Sequence, residues 1–373
     1  MGVRLGLVVN PVAGIGGRYA LKGSDDPRLV EEVRARGAEA VSPARAVDAL
    51  GVLAASPDVE LVTYPGAMGE EEASSAGLVA RVIGTLGAET TAADTRSAVA
   101  AMVDDGIDLL LFAGGDGTAV DVLEAVGDRV PVLGIPAGVT MHSAVFAVNP
   151  RAAGRLALLV AEGRVGSTVE AEVMDVDEDA LRAGTISPRL YGYLRVPVEP
   201  GLLQGGKART AASDRATQQA IAAHVVDRLL DERLLFVGPG TTTRAVMEAL
   251  GLEKTVLGVD VVRGRELAAV DADEETLLRL AAAEPARVIV TPVGGQGFLF
   301  GRGNQQLSAD VLGQIGSENV VVLATESKLA ALAGRPLLVD TGDPAVDAAL
   351  AGYVRVVIGY DREAVYRISD GAI

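Results

Sequence analysis

Residues 114–118, with the sequence GGDGT, combine one carboxylate with three glycines and a threonine hydroxyl. Glycines allow backbone N–H groups to approach a phosphate closely, and the start of a helix favours bound negative charge. Because Asp116 is an anion in a turn that otherwise suits anions, it is a candidate general base for a hydroxyl group. It is also a candidate ligand of Mg²⁺, directly or through water. The alternative is that Asp116 only caps the helix that follows.

The flanking sequence predicts the elements that hold this turn. Residues 109–113 are an apolar run with the length and flanks of a buried parallel strand. Residues 119–126 have helical spacing and end at Gly127. Since ligands bind at the carboxyl ends of strands in an open α/β sheet, the turn is predicted to contact a ligand. The phosphate-binding candidates within it are Gly114, Gly115, Gly117 and Thr118.

Two further turns in the first half of the chain follow predicted strands. Residues 10–18 come after a strand at 5–9 and are a candidate contact for phosphate or ribose, although they could be only a tight turn. The candidates there are Asn10, Gly14, Gly16 and Gly17. Residues 136–143 follow a strand at 130–135, and the candidates there are Pro136, Gly138 and His142.

The second half of the chain has two more turns of this kind. Gly240, Thr241, Thr242, Thr243 and Arg244 offer hydroxyls, N–H groups and a guanidinium at a helix start, which suits a phosphate. The alternative is a threonine-capped helix with a solvated arginine. Gly294, Gly295 and Gly297 allow a ligand to approach the backbone, but ordinary turns explain them equally well. The acidic residues at 175–179 favour a solvated turn over a metal site.

The order of elements predicts an α/β protein of two domains. Alternating strands and helices indicate a doubly wound, parallel-sheet domain over residues 1–165, in which residues 69–83 are predicted as one helix. Residues 166–373 are predicted to form a second, mixed α/β domain with some antiparallel strands. Its last strand could pack back on the first domain.

The composition of the 373 residues excludes several classes of function. A formal charge of −17 and an aromatic content of 3% argue against binding of nucleic acid or of an anionic membrane. Without cysteine there is no disulfide or thiolate metal site, and two histidines cannot build a His-rich one. Since no segment reaches the roughly 20 apolar residues of a membrane span, the protein is predicted to be cytoplasmic.

The order and spacing of three of these segments resemble a known superfamily. Asn10-Pro11 with its glycines, the GGDGT motif and residues 134–139 together resemble NAD kinases, diacylglycerol-type lipid kinases and phosphofructokinases. Across essentially the whole chain, the sequence is most similar to the ATP-NAD kinase-like branch that includes the acetoin-catabolism protein X. The segments that carry this similarity are 10–17, 134–143, 190–193, 238–244 and 291–304.

The resemblance implies a kinase that uses Mg²⁺ and ATP, or polyphosphate, with NAD(H) as the acceptor. It gives Asp116 the role of the base or metal-linked group that acts on the hydroxyl. The surrounding glycines and Thr118 would hold nucleotide phosphates or ribose. The partners implied are small-molecule nucleotides, and a homo-oligomer is expected because related kinases often form dimers or tetramers. The residues do not show which side chains hold the metal.

Two features differ from the better-known NAD kinases. Those carry an Asn followed by an acid after the first domain, where this chain reads Met174-Asp175-Val176-Asp177. Their second domain is mostly β-structure, whereas residues 213–350 here alternate helix and strand. The motif identifies the superfamily more strongly than the substrate. A kinase of another hydroxyl (sugar, lipid or metabolite) and a non-catalytic nucleotide-binding regulator therefore stay as alternatives.

Overall fold

The structure, a computed structural model, describes residues 2–21, 27–54, 59–87, 90–176, 188–199, 202–203, 214–293 and 295–371. In the first domain, five parallel strands form a sheet in the order β3-β2-β1-β4-β5. These strands are β1 (Val3–Val9), β2 (Val59–Thr63), β3 (Ala80–Val82), β4 (Leu109–Gly114) and β5 (Val132–Pro136). The two central strands are in register, with Leu5 beside Leu109 and Val9 beside Ala113.

Helices cover both faces of this sheet, as a doubly wound fold requires. They are α1 (Pro27–Ala35), α2 (Ser42–Leu53), α3 (Glu70–Ser75), α4 (Ala92–Asp105), α5 (Asp116–Val126) and α6 (Pro150–Ala161). Leucines and alanines of α2 and α6 pack in one core cluster, and alanine, valine and methionine side chains of α4 and α5 pack in another on the opposite face. The predicted fold class of the first domain is therefore confirmed.

The winding places a topological switch point between β1 and β4. The chain leaves β1 toward α2 on one face of the sheet and leaves β4 toward α5 on the other face. The loops that follow these two neighbouring strands diverge and leave a crevice at the carboxyl edge of the sheet. Ligands bind at such a crevice in open α/β sheets.

The prediction of one helix over residues 69–83 is wrong. Helix α3 ends at Ser75, and Gly77, with φ of +75°, takes the left-handed conformation that ends the helical path. The chain then extends as β3, where Ala80 pairs with Leu61 of β2. An edge strand forms here because β2 offers its free hydrogen-bonding side to the extended segment Ala80–Val82.

The second half of the chain contains two further sheets. Strands β6 (Thr168–Val176) and β7 (Pro188–Pro197) form an antiparallel ribbon. Its buried residues Ala171, Val173, Leu194 and Val196 belong to the core cluster that contains α4 and α5. The ribbon therefore packs against the first domain, and the domain boundary at residue 165 stays a prediction.

The third sheet has nine strands in the order β10-β9-β8-β11-β13-β15-β16-β14-β12. They are β8 (Leu234–Val237), β9 (Asp260–Arg263), β10 (Glu266–Ala269), β11 (Ala286–Val290), β12 (Phe298–Phe300), β13 (Val320–Leu323), β14 (Leu337–Val339), β15 (Gly352–Gly359) and β16 (Arg362–Ser369). The central strands β8, β11, β13 and β15 are parallel, whereas β8–β9, β9–β10 and β15–β16 are antiparallel. This sheet confirms the predicted mixed α/β domain.

Six helices accompany this sheet in the described part of the chain. They are α7 (Arg215–His224), α8 (Thr241–Leu250), α9 (Glu274–Ala283), α10 (Ala309–Ile315), α11 (Glu326–Ala330) and α12 (Pro344–Leu350). A π-helical turn, Val225–Leu229, continues α7, and short 3₁₀ turns lie at Gly17–Tyr19, Gly66–Met68 and Ser317–Asn319. Within the described ranges, no helix combines the length and apolarity that crossing a bilayer requires.

A buried charge cluster joins the two halves of the molecule. One carboxylate oxygen of Asp340, after β14, accepts hydrogen bonds from Arg45 of α2 and from Arg302, each at 2.7 Å. All three side chains are at most 13% exposed. The cluster therefore fixes the position of the second domain beside the switch-point edge of the first.

Candidate functional site

A cleft of about 270 Å³ lies at the switch point. Its walls are the loops that follow β1, β4 and β5, the start of α4 and the end of β6. The residues that line it include Asn10, Gly14, Thr91, Thr95, Gly115, Asp116, Gly117, Thr118, Asp121, Gly138, Thr140, His142 and Asp175. The structure thus brings together candidates from all three glycine-bearing turns of the first domain.

Asp116 is the first residue of α5, and its side chain is held by the loop after β5. One carboxylate oxygen accepts the backbone N–H of His142 at 2.6 Å, and the other accepts that of Ser143 at 3.0 Å. The ring Nδ1 of His142 lies 3.3 Å from the first oxygen. Although only 5% of Asp116 is exposed, it lines the cleft. Its partners belong to another loop, so the residue does more than cap its own helix.

Asn10 and Thr118 connect the loops on the two sides of the crevice. The side-chain amide of Asn10 donates to the hydroxyl of Thr118 at 2.9 Å, and its carbonyl oxygen accepts the N–H of Val12 at 3.2 Å. A Cβ atom at Gly114 would lie 2.4 Å from that same hydroxyl oxygen. Glycine at position 114 is therefore needed for Thr118 to pack against the turn.

The glycines of the other loops keep the walls of the cleft close together. Gly14 has φ of +77°, and a Cβ atom there would lie 2.3 Å from the carbonyl oxygen of Ala137. A Cβ atom at Gly138 would lie 2.7 Å from the Cα atom of Gly115. Any side chain at these positions would push the loops apart, so they serve packing as well as access to the backbone.

A second cavity, of about 760 Å³, lies between the two domains and meets the first cleft at Gly14 and Gly138. Gly17 lines it, together with Arg45, Arg151 and Asp340. Three of the predicted candidates in the first domain, Gly16, Gly114 and Pro136, line neither space. Gly16 precedes the 3₁₀ turn and packs on Leu21, while the carbonyl of Pro136, at the end of β5, accepts a hydrogen bond from Arg45 at 3.2 Å.

The candidates of the second domain lie apart from Asp116. One group of them follows the carboxyl end of β8 and lines neither of these two cavities: Gly240, Thr241, Thr242, Thr243 and Arg244. Thr242 and Thr243 are fully buried, and the Thr243 hydroxyl donates to the carbonyl of Gly240 at 3.0 Å. Gly295 and Gly297 also lie outside both cavities, and Gly294 is outside the described residues. Contact of these residues with a ligand stays a prediction.

Several residues that line the cleft carry no signal that sequence reasoning used. Thr91, the residue before α4, forms a capping box with Asp94 and presents the start of that helix to the cleft. Its Thr-x-x-Asp pattern predicts that a helix starts here in the sequence, but it does not predict that this start lies beside the cleft in the folded protein. Asp175 reaches the cleft from β6, within the acidic segment that favoured a solvated turn. Asp177, Glu178 and Asp179 of that segment lie outside the described residues.

The cleft has an acidic lining. Asp116, Asp121 and Asp175 line it, and no lysine or arginine does so in the described part of the chain. Asp121 forms an ion pair with Arg96 at 2.5 Å. Across the described residues, no group of three or more His, Asp or Glu side chains is arranged to hold a metal ion by itself. An anionic ligand in the cleft would therefore contact backbone N–H groups and helix N-termini, but no described lysine or arginine side chain would neutralise its charge.

Comparison with known protein families assigns the chain to one of them. A model of the ATP-NAD kinase N-terminal domain matches residues 5–165, and a model of the ATP-NAD kinase C-terminal domain matches residues 230–368. Together they span most of the chain. The chain belongs to the ATP-NAD kinase family. This confirms the resemblance seen in the sequence and indicates that the protein is a kinase, whose family generally uses ATP and NAD.

Other comparisons add little to this family assignment. The curated proteins include no match to this chain. A structure of a proposed diacylglycerol kinase from Bacillus anthracis str. Sterne is 14% identical and covers 54% of this chain and 74% of its own, with a TM-score of 0.22. A proposed UDP-N-acetylglucosamine 2-epimerase from Listeria monocytogenes is 11% identical and covers 90% and 82%, with a TM-score of 0.27. At such low scores, neither similarity bears on the function of this ATP-NAD kinase family member.

Proposed function

We propose that this protein is an NAD kinase that transfers a phosphoryl group from ATP to the 2′-hydroxyl of the adenosine ribose of NAD(H), giving NADP(H). The observation that carries the proposal is the position of Asp116. Its carboxylate lines a cleft at the switch point and is held there by two backbone N–H groups. Membership of the ATP-NAD kinase family supports ATP and NAD as the two substrates.

In the proposed reaction, Asp116 is the general base. As the ribose oxygen bonds to the γ-phosphorus, Asp116 takes the hydroxyl proton, the bond from that phosphorus to the bridging oxygen breaks, and ADP leaves. An ionised carboxylate offers about four acceptor sites, so its bonds to residues 142 and 143 leave capacity for a substrate hydroxyl. Phosphoryl transfer depends mainly on positioning and on stabilisation of charge.

The phosphate groups would lie against the glycine backbone and the helix starts of the cleft. Gly115, Gly117 and Thr118 are at the start of α5, an eleven-residue helix, and Asn10 fixes the opposite loop to Thr118. The positive end of a helix dipole and its free N–H groups favour phosphate. Each feature concerns phosphate rather than adenine, so inorganic polyphosphate could serve as the donor in place of ATP.

The acidic lining fits a divalent cation bound together with the substrate. Mg²⁺ in kinases is usually held by one or two carboxylates and by substrate phosphates, so a cage of protein ligands is not required. Asp116 and Asp175 are the residues that would hold it, since both line the cleft. No described lysine or arginine lines the cleft, so the protein itself offers no cationic side chain to the phosphates there. When bound, the ion would neutralise this phosphate charge.

The test is to incubate the purified protein with NAD, ATP and Mg²⁺ and to measure NADP, with polyphosphate in a parallel reaction. Asp116→Asn should lower kcat by a factor of about 10² to 10⁴, the usual contribution of a general base. Asp104→Asn, whose carboxylate pairs with Arg129 outside the cleft, is the matched control. Full activity of Asp116→Asn would contradict the assignment of the base.

The same assay separates the alternative functions. If no NADP forms with either donor, NAD kinase activity is refuted, and consumption of ATP with sugar, lipid and metabolite acceptors would identify another kinase. Binding of NAD in calorimetry without any product would identify a regulator. We also infer that the protein forms a homo-oligomer, as kinases that it resembles do. Light scattering, which measures the molar mass in solution, tests this directly.

A further inference from the structure

The loop between β11 and β12 is anchored to the second domain by its own backbone. The N–H of Gly297 donates to the carbonyl of Val293 at 2.8 Å, and the carbonyl of Gly297 accepts the N–H of Leu338 at 2.9 Å. The carbonyl of Gly295 accepts a hydrogen bond from Arg335 at 3.0 Å. Gly295 has φ of +78° and Gly297 has φ of +84°. The described part of the loop is thus a fixed support, and the residue between these two glycines is held in a defined direction.

That residue, Gln296, reaches into the first domain. Its side chain is 2% exposed, and its Nε2 donates to the carbonyl oxygen of Met141 at 2.9 Å. The carbonyl of Met141 and the N–H of His142 belong to one peptide unit. The same N–H donates to the carboxylate of Asp116 at 2.6 Å. Two hydrogen bonds therefore connect the second domain to Asp116 through a single peptide group.

We propose that Gln296 is a positioning residue, through which the second domain orients the Met141–His142 peptide and so the carboxylate of Asp116. Hydrogen bonds in series polarise one another, so donation to the carbonyl strengthens donation by the N–H on the other side of the peptide. This connection gives a role to a glycine-dense loop whose described residues line neither cavity. Its effect on catalysis rests on the proposed function, but the connection itself does not.

Gln305 provides a matched control in the same interface. Its Nε2 donates to the carbonyl oxygen of Val139 at 2.6 Å, so it also joins the second domain to the loop after β5. The same Nε2 also donates to the carbonyl oxygens of Gly138, at 3.4 Å, and of Gly301, at 3.3 Å. None of these peptide groups carries a backbone donor to Asp116, since those donors are residues 142 and 143. The Oε1 atoms of both glutamines are buried without a partner among the described residues. Replacement by methionine removes the same groups at both positions.

The first test reads the hydrogen bond of His142 without any need for turnover. The chain has two histidines, so selective ¹⁵N-histidine labelling gives two backbone amide signals. The signal that disappears in His224→Asn belongs to residue 224, and the remaining one belongs to His142. Asp116→Asn, which removes the acceptor charge, should move the amide proton of His142 upfield. Gln296→Met should move it in the same direction, and Gln305→Met should leave it in place. Should Gln296→Met fail to fold, Gln296→Asn is measured instead, because its shorter amide cannot span the same distance.

The proposal is overturned if Gln296→Met leaves the His142 signal in place while Asp116→Asn moves it, or if Gln305→Met moves it equally.

The second test is kinetic. Gln296→Met should lower kcat about 5- to 10-fold, the change that one neutral hydrogen bond corresponds to, with KM for NAD and ATP unchanged. A rise in KM alone would refute positioning. Failure to form NADP with the wild type would refute the proposed function and leave the amide result standing.

Discussion

The side-chain amide of Asn10 lies 2.9 Å from the hydroxyl oxygen of Thr118, to which it donates. The two residues are 108 positions apart and follow β1 and β4, the strands between which the winding of the sheet reverses. The bond therefore spans the crevice and keeps the two loops in fixed positions. Since Asp116 precedes Thr118 by two residues, the same bond restricts the turn that carries the proposed base.

Loss of this bond should affect activity as well as stability. Asn10→Ala removes two side-chain hydrogen bonds, the one to Thr118 and the one from the N–H of Val12, at a cost of about 1 kcal/mol of folding free energy each. It also frees the loop that would contact phosphate. We expect KM for ATP to rise about tenfold, which corresponds to about 1.4 kcal/mol. In a double-mutant cycle with Thr118→Val, the combined effect should be smaller than the sum of the single effects. Strict additivity would show that the two side chains are not coupled.

The contact between Gly115 and Gly138 predicts a strong effect of one methyl group. Gly138→Ala places Cβ 2.7 Å from the Cα atom of Gly115, so the loop that holds Asp116 must shift. Misplacement by about 1 Å can lower a rate about 10²-fold, and we expect a loss of kcat of that order. The matched control is Gly51→Ala in α2, where a Cβ atom meets nothing within 4 Å. It should raise the free energy of unfolding by about 0.5–1 kcal/mol, measured by urea titration. Equal kcat values in the two variants would contradict the prediction.

The Mg²⁺ assignment predicts a specific effect of Asp175. Asp175→Asn removes one carboxylate from the cleft, so a higher Mg²⁺ concentration should be needed for half-maximal rate. We expect the maximal rate to be approached again at saturating Mg²⁺, because Asp116 is retained. Asp104→Asn, outside the cleft, should leave the Mg²⁺ titration as in the wild type. An unchanged titration for Asp175→Asn would remove Asp175 from the metal site.

Local sequence was enough to predict the turn at 114–118, because a buried strand, glycines and a helix start lie within about 20 residues. It could not provide the partners of Asp116, since His142 and Ser143 are 26 and 27 positions away and meet it only when the sheet is assembled. The connection from Gln296 spans 155 positions and two domains. Such contacts depend on tertiary packing, and no short pattern contains them.

The same limit applies to segment 240–244, which the sequence predicts to bind phosphate as it does for the first motif. Both segments read as strand, glycine turn and helix start, and both lie at the carboxyl edge of a parallel strand. They belong to different sheets, however, and a local pattern cannot tell which edge a turn will join. The helix predicted over 69–83 was wrong for a related reason, because β3 forms by pairing with a strand that lies earlier in the chain.

The buried cluster of Arg45, Asp340 and Arg302 predicts a pH-dependent stability. The two guanidinium groups lower the pKa of Asp340, although burial alone acts in the opposite direction. Burial lowers the pKa of Arg302 to about 10, so it stays charged at neutral pH. Asp340→Asn leaves two buried cations facing each other, and we expect a loss of about 3–5 kcal/mol in the free energy of unfolding at pH 7.

The sign of the pH dependence follows from the lowered pKa of Asp340. Its ionised form stabilises the folded state at every pH above about 3.8, the ordinary value, and this contribution is lost as the pH falls through the lower value of the folded state. Urea unfolding of the wild type and of Asp340→Asn should therefore differ by a constant amount from pH 7 to about pH 4, and the difference should narrow below that. Asp361→Asn, whose exposed carboxylate lies beside Arg228 and His224, should leave the free energy of unfolding at pH 7 nearly unchanged. A difference between the wild type and Asp340→Asn that stays constant through the acid range would show that Asp340 is not the group that titrates.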